Sequence, residues 1–326
     1  MAFEYLLLPF SFIYYFAICL RSFFYNSNIF RTYSIDAKVI SVGNITWGGT
    51  GKTPTVLFLL RHFSGQGRKV AVLIRGYGKD EPEMFLRLMP GVPVVIGKDR
   101  VKTAREAVEK HQVDTILLDD GFQHRRLKRD LDIVCIDATN PFGNGCVIPA
   151  GSLREGLSGL KRADIFLITK VDFAQDEKVL QGLKEKLKRI NSKAVIAESI
   201  HQARHFYKLS DGKTVDPGSL RNKNVILLSA IGSPVSFETT VLKLGIKFKK
   251  HFVFRDHHCY NKKDLKAIED YCGRNKIDMV ITTEKDAVKL SQYTKPDPRY
   301  TILSIQLEIT DNEQEFYNRL SGIYGG

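Results

Sequence analysis

The chain has 326 residues, of which 43% are hydrophobic and 26% are charged, as in a folded globular protein with one large or two ordinary domains. Its formal net charge of +13 favours an anionic partner: a nucleic acid, an acidic membrane surface or a phosphorylated substrate. Lysine and arginine are spread along the chain rather than clustered, which disfavours nucleic acid. Five cysteines without a CxxC pair predict a reducing compartment and exclude a zinc site or a disulfide framework.

The chain begins with an apolar segment, residues 6–20, that contains no charged side chain. A membrane-spanning helix needs about 20 apolar residues, and Pro9 interrupts this run. The segment has neither the basic residues nor the cleavage site of a signal peptide. Its aromatic residues and the flanking Arg21 and Arg31 predict a helix in the membrane interface, with basic groups meeting anionic headgroups. A helix buried against the domain and a single membrane span are the alternatives.

A glycine-rich turn follows the first apolar strand, which is predicted over residues 39–42. Lys52 and Thr53 come next, at the start of a predicted helix over residues 54–63. Glycines let backbone N–H groups turn towards phosphate oxygens, while the lysine reaches the β- and γ-phosphates and the threonine hydroxyl holds Mg²⁺. Thr46 replaces the first glycine of the usual pattern. The predicted ATP-binding residues of this loop are Thr46, Gly48, Gly49, Thr50, Gly51, Lys52, Thr53 and Pro54.

Further apolar strands alternate with helices and predict an α/β fold, a phosphate-loop NTPase type of parallel sheet with helices on both faces. Ligands bind such sheets at the carboxyl ends of the strands. The strands are predicted over residues 69–74, 92–96, 115–118, 132–136 and 164–168, with a helix over residues 101–111.

Acidic residues follow two of these strands. Asp119 and Asp120 come directly after a strand and downstream of the phosphate loop, where the second Mg²⁺ anchor usually stands. We therefore expect both to supply acidic groups to a metal site with Thr53. Lys170 and Asp172 lie in a Thr-Lys-x-Asp sequence that resembles the base-reading element of phosphate-loop proteins. In that reading, Lys170 stacks on the base and Asp172 binds its edge.

The strand–helix alternation weakens near residues 197–204, and a smaller C-terminal α/β domain is predicted beyond. His257 lies in an Arg-Asp-His-His sequence at a strand-to-helix junction, which makes it a candidate for chemistry. The predicted domains are an N-terminal membrane-associated helix over residues 1–33, a phosphate-loop kinase domain over residues 34–200 and the C-terminal domain over residues 201–326. Within the last, strands are predicted over residues 224–229, 247–254 and 277–282, and helices over residues 237–244 and 262–275.

Together these motifs resemble the tetraacyldisaccharide 4′-kinase family of lipid A biosynthesis, in the same order and over nearly the whole chain. The phosphate loop of that family also lacks the first glycine, which accounts for Thr46. The matching motifs are LLLPFSFIY near the N-terminus, VGNITWGGTGKTP, RGYG after the second strand, DEP at residues 80–82, DDGFQHRRLKRDLDIV from residue 119, FGNG at residues 142–145, PAGSLRE at residues 149–155, DHH at residues 256–258 and TTEKDAVKL at residues 282–290.

The resemblance implies a kinase at the cytoplasmic face of the inner membrane that uses ATP and Mg²⁺. It would phosphorylate the 4′-hydroxyl of a tetraacylated glucosamine disaccharide 1-phosphate, giving lipid IVA. Asp80 and His257 match the family's catalytic pair, with the aspartate helping to deprotonate the hydroxyl from about 2.6–3.2 Å. Arg75, Arg100 and His124 would contact phosphates or substrate. The membrane surface and the lipid are the implied partners, nucleic acid is not, and the oligomeric state stays open.

One departure from the family concerns the loop before Asp80. Family members carry a hairpin-like insertion there and a glycine before the aspartate, whereas here only Lys79 separates Gly78 from Asp80. The placement of Asp80 depends on this shortened loop. The phosphate loop and the Asp119-Asp120 pair do not.

Two other functions compete with the lipid kinase. A nucleotide-dependent phosphate-loop switch would act through a protein partner, hydrolyse nucleotide slowly without lipid, and not need Asp80 or His257. A nucleic-acid-dependent ATPase is favoured only by the net charge and would bind nucleic acid in a salt-sensitive manner.

Overall fold

The structure is a computed structural model that describes residues 2–76, 80–174, 176–291 and 297–325, without the side chains of residues 2–5, 80 and 81. The chain forms two compact units. The first unit comprises Met1–Gly76, Gly91–His201 and Leu307–Gly326, and the second comprises Tyr77–Pro90 and Gln202–Gln306.

Ten α-helices lie in the described part of the chain. They are α1 (Ala2–Asn26), α2 (Lys52–Gly65), α3 (Asp80–Leu88), α4 (Arg100–His111), α5 (Glu177–Ile190), α6 (Pro217–Leu220), α7 (Pro234–Lys243), α8 (Lys262–Arg274), α9 (Glu284–Ser291) and α10 (Glu313–Ser321). Their limits follow from local signals. The Asp99 side chain, for example, accepts hydrogen bonds from Val101 N and Lys102 N and begins α4.

The first unit contains a parallel sheet. Its strands are β1 (Lys38–Gly43), β2 (Val70–Ile74), β3 (Val94–Ile96), β4 (Thr115–Asp119), β5 (Leu131–Asp137), β6 (Ile165–Thr169) and the first half of β7 (Val195–Lys208). They lie in the order β7-β6-β5-β1-β4-β2-β3, and each neighbouring pair is parallel. Every residue of β2, β4 and β6 is buried, as solidly apolar strands require when helices cover both faces. The predicted fold class is confirmed.

The second unit has strands of its own. They are β8 (Thr214–Val215), β9 (Val225–Ser229), β10 (Phe248–Val253), β11 (Met279–Thr283) and the first part of β12 (Tyr300–Asp311), whose residues from Leu307 belong to the first unit. The order is β10-β9-β11-β12, all parallel, while β8 pairs antiparallel with the end of β7. Helix α3 packs against α9 in this unit.

One boundary between the units lies after His201, one residue from the predicted domain boundary after residue 200, and it falls inside the 14-residue strand β7. The units differ from the predicted domains at two other places. Residues 80–90 belong to the second unit, because α3 packs on α9. The C-terminal residues belong to the first, because α10 brings Phe316 to within 6.2 Å of Phe58, ring to ring.

Helix α1 belongs to the first unit and has two different faces. Its inner side packs Tyr14 against the apolar cluster that contains Phe122 and Phe166. Most of its other large apolar side chains are exposed, among them Phe12, which is 72% exposed. By length and composition alone, the segment Leu6–Asn26 is sufficient to cross a membrane. The helix is thus longer than the uncharged run that marks it in the sequence.

Candidate active site

The phosphate loop joins β1 to α2 at the carboxyl end of the sheet. Val42, near the end of β1, lies beside Asp119 at the end of β4. Gly51 precedes α2 with a φ of +86°, and a Cβ atom there would lie 3.1 Å from His201 Nε2, so glycine suits both backbone and space. The first N–H groups of a helix lack intrahelical acceptors, and α2 therefore offers donors to an anion at this point.

Two side chains, one at the end of β6 and one just after it, donate hydrogen bonds to the backbone of the phosphate loop. The Thr169 hydroxyl donates to Thr50 O at 2.9 Å, and Lys170 Nζ donates to Gly49 O at 2.7 Å. Lys170 also forms an ion pair with Asp137 and is 2% exposed. The ammonium group of Lys170 therefore stabilises the loop. Asp172 follows as the exposed residue of the 3₁₀ turn Val171–Phe173, and its role at the base stays a prediction.

Asp120 lies at the centre of a cluster of charges. Its backbone is left-handed, with a φ of +56°, a conformation that aspartate adopts more readily than most residues. Its carboxylate accepts two hydrogen bonds from Arg154 Nη1, at 2.7 and 2.8 Å, and lies 3.6 Å from Lys52 Nζ. Burial raises the pKa of Asp120, but the charges of Lys52 and Arg154 outweigh it and the net pKa is lowered. Asp120 is therefore ionised at neutral pH.

Arg154 was missed by sequence reasoning as a functional residue. It stands in the PAGSLRE motif, 34 positions after Asp120, and nothing local indicates that its guanidinium pairs with that carboxylate. The same guanidinium lies 5.8 Å from the ring of Trp47, an exposed side chain of the phosphate loop. The motif was a usable signal, since arginine is a frequent ligand of phosphate groups.

Two of the predicted phosphate contacts, Arg100 and His124, lie near Asp120, and Arg75 lies near both of them. Arg100 is buried and donates from Nη2 to Asp119 O at 3.1 Å, and burial lowers its pKa to about 10. Burial, reinforced by the charges of Arg100 and Arg75, lowers the pKa of His124 to about 4. With these neighbours, His124 is neutral at pH 7.

The metal prediction involves Thr53, Asp119 and Asp120. Within the described ranges, no three histidine, cysteine or acidic residues are grouped closely enough to hold a metal ion by themselves. Thr53 lies in the first turn of α2, and Asp119 is buried at the end of β4. A metal here would take these few oxygen ligands together with phosphate oxygens, as Mg²⁺ often does.

The second unit holds His257 in a turn after β10, with a φ of +61°. Lys285 Nζ lies 3.0 Å from Asp256 Oδ1 and 3.3 Å from His257 Nε2. The Asp256 carboxylate also faces this nitrogen, with Oδ2 3.7 Å from His257 Nε2. Asp80 begins α3, which packs on the helix of Lys285, but its side chain lies outside the described part of the chain. Residues 77–79, which contain the shortened loop, also lie outside it.

Comparison with known proteins agrees with this geometry. The family model for tetraacyldisaccharide-1-P 4′-kinase matches residues 3–324. The tetraacyldisaccharide 4′-kinase of Halothermothrix orenii is 39% identical over 313 residues, covering 86% of this chain and 81% of the relative. That of Elusimicrobium minutum is 36% identical over 321 residues, covering 90% and 84%.

A solved structure is similar along the entire fold. The crystal structure of LpxK from Aquifex aeolicus, described as an "apo" form in complex with ATP, superposes with a TM-score of 0.77 at 27% identity. The match covers 98% of this chain and 99% of that one. The family model, the curated relatives and the solved structure thus agree along the whole length. The chain belongs to the tetraacyldisaccharide 4′-kinase family.

Proposed function

We propose that this chain transfers the γ-phosphoryl group of ATP to the 4′-hydroxyl of a tetraacyldisaccharide 1-phosphate, giving lipid IVA. The bond from the γ-phosphorus to the β,γ-bridging oxygen breaks, a bond to the 4′-oxygen forms, and the hydroxyl proton passes to a base. The observation that carries the proposal is the whole-chain family match together with the Lys52, Asp120 and Arg154 cluster at the phosphate loop. The same match disfavours the alternative of a nucleotide-dependent switch.

In the first unit, Lys52 and Arg154 are the cations that would bind the transferring phosphate. Both lie within 3.6 Å of the Asp120 carboxylate, which keeps them side by side. Pre-arranged cations stabilise the charge of the transition state without reorganisation during the reaction. Mg²⁺ held by Thr53, Asp119 and Asp120 would neutralise further charge on the phosphates.

In the second unit, we assign Asp80 as the base that takes the hydroxyl proton, with His257 orienting or tuning it. Lys285 and Asp256 both lie beside His257 Nε2 and would fix the orientation of the ring. An imidazole N–H can hold a carboxylate or a hydroxyl by a hydrogen bond without becoming the base itself.

The direct test is transfer from γ-labelled ATP to tetraacyldisaccharide 1-phosphate in detergent micelles with Mg²⁺. We expect labelled lipid with the wild-type chain, and much less with Asp80→Ala, whose ATP affinity should be kept. Nucleotide hydrolysis without lipid product would reject the kinase. A defect of Asp80→Ala confined to ATP affinity would reject the general-base role alone.

We further propose that α1 lies in the membrane interface, at the cytoplasmic side where ATP is available. Its exposed residues include Leu6, Phe12, Ile13 and Phe16, each at least 63% exposed. Arg21 and Arg125 lie over the Tyr25 ring near the end of the helix, at 5.7 and 4.9 Å, and place positive charge beside the apolar face. This combination suits a surface of anionic lipid.

Replacing Phe12, Ile13 and Phe16 together by serine should therefore weaken membrane binding by at least tenfold, because each side chain contributes about 1.5–3 kcal/mol when buried. Co-sedimentation with vesicles of anionic phospholipid measures the effect. Val179→Ser, at an exposed apolar position on α5, is the matched control and should bind like the wild type. Equal binding by the triple variant would contradict the assignment of this face.

A further inference from the structure

Helix α1 contacts two loops that carry residues of the phosphate-transfer site. We call residues 120–125 the Asp120 loop and residues 147–156 the Arg154 segment. Apart from isolated bridges in the Arg154 segment, neither lies in a helix or strand, so each must be held in place by contacts with other parts of the chain.

The inner face of α1 contacts the Arg154 segment in three places. The Ser11 hydroxyl donates to Val147 O and accepts from Ala150 N, both at 2.9 Å. The Tyr14 hydroxyl donates to Arg154 O at 2.8 Å. The Tyr15 ring lies so close to Gly156 that a Cβ atom there would be 2.7 Å from a ring carbon. The helix therefore contacts the backbone of Arg154 itself and the chain before and after it.

The last turns of α1 contact the Asp120 loop. Arg21 Nη2 donates to Gln123 O at 2.9 Å. In the other direction, Arg125 donates to Ser22 O at 3.2 Å and to Asn26 Oδ1 at 2.7 Å. Hydrogen bonds in both directions thus tie the Asp120 loop to α1.

The two loops meet each other and the phosphate loop. Besides the Arg154–Asp120 pair, Gln123 Nε2 donates to Glu155 Oε1 at 3.0 Å and to Asn44 O at 2.9 Å. The backbone N–H of Arg154 donates to Ile45 O at 2.7 Å. Arg154 and Gln123, which α1 contacts, thus each donate a hydrogen bond directly to the backbone of the phosphate loop.

We propose that α1 is a positioning element of the kinase site, through Tyr14 and Arg21, and not only an attachment to a membrane. By holding both loops against one helix, it sets the geometry of the Asp120–Arg154 pair and of the phosphate loop beside it. Such geometry matters because a displacement of about 1 Å in a catalytic group can cost about 100-fold in rate. The effect on turnover rests on the proposed kinase function; the effect on ATP binding does not.

The test uses the full chain in micelles, with the double variant Tyr14→Phe/Arg21→Met. We expect kcat for lipid phosphorylation to fall about tenfold and the Kd for ATP to rise by a similar factor, with the KM for lipid and the melting temperature unchanged. Arg21→Lys combined with native Tyr14 should retain activity, because lysine can still donate to Gln123 O. Tyr271→Phe/Arg274→Met makes the same chemical changes in the second unit and is the matched control.

Three results would decide the matter. A double variant with wild-type kcat and ATP affinity would overturn the proposal, as would a defect confined to the KM for lipid, which would leave α1 as an attachment alone. A rise in the Kd for ATP of the double variant supports the proposal, whether or not the wild type makes lipid product. Absence of lipid product from the wild type would reject the proposed function and leave the positioning role of α1 supported by the ATP result.

Discussion

Replacing Lys52 by alanine is expected to lower kcat for phosphoryl transfer by about three orders of magnitude. The side chain of Lys52 is only 14% exposed, so its charge acts where water screens it weakly. Its ammonium group lies at the start of α2, where the helix N-terminus already favours anions. The variant loses stabilisation of negative charge on the transferring group. Transfer of labelled phosphate to the lipid at saturating ATP measures the effect.

The control for this variant is Lys110→Ala. Lys110 lies on α4, pairs with Glu106 four residues earlier and is largely exposed, so its removal should leave turnover unchanged. Turnover of Lys52→Ala within a few-fold of the wild type would mean that the loop is not the phosphate site.

The second prediction concerns Asp120→Asn, which keeps the shape of the side chain and removes its charge. We expect kcat to fall by about 100-fold or more, since the carboxylate arranges two cations and is proposed to contribute to the Mg²⁺ site. The Mg²⁺ concentration for half-maximal rate should rise in parallel. An unchanged Mg²⁺ requirement would show that Asp120 is not a metal ligand. Unchanged turnover would show that its charge is not needed for phosphoryl transfer.

Asp120→Asn should also change the dependence of stability on pH. Because the pKa of Asp120 is lowered in the folded state, the ionised carboxylate stabilises the fold above its unfolded pKa, and this contribution is lost as the pH falls through the lowered folded pKa. The wild type therefore loses this contribution to its stability below about pH 4. The variant does not have the contribution at any pH. Denaturant unfolding at pH 3 and pH 7 measures the difference. Asp270→Asn, an exposed change on α8, should unfold like the wild type at both.

Much of this protein follows from local patterns in its sequence. The apolar runs became β1, β2, β4, β5 and β6 within one or two residues, because solidly apolar strands of this length are stable only in a covered sheet. The phosphate loop was predictable because its chemistry requires specific residues in immediate succession: glycines that permit unusual backbone angles, then lysine and threonine at a helix start. The family was predictable from the motifs in their order.

Only the tertiary structure could decide which distant residues meet. Arg154 pairs with Asp120 across 34 positions, and Tyr14 hydrogen-bonds to Arg154 across 140. Helix α10 belongs to the first unit because its aromatic residues pack against α2, and the hydrophobic pattern of the sequence does not predict that contact. The sequence by itself determined the central strands of the first unit and the phosphate loop, since these depend on neighbours along the chain. The tertiary structure decided the charge cluster and the contacts of α1 with the two loops, since these depend on how the elements pack.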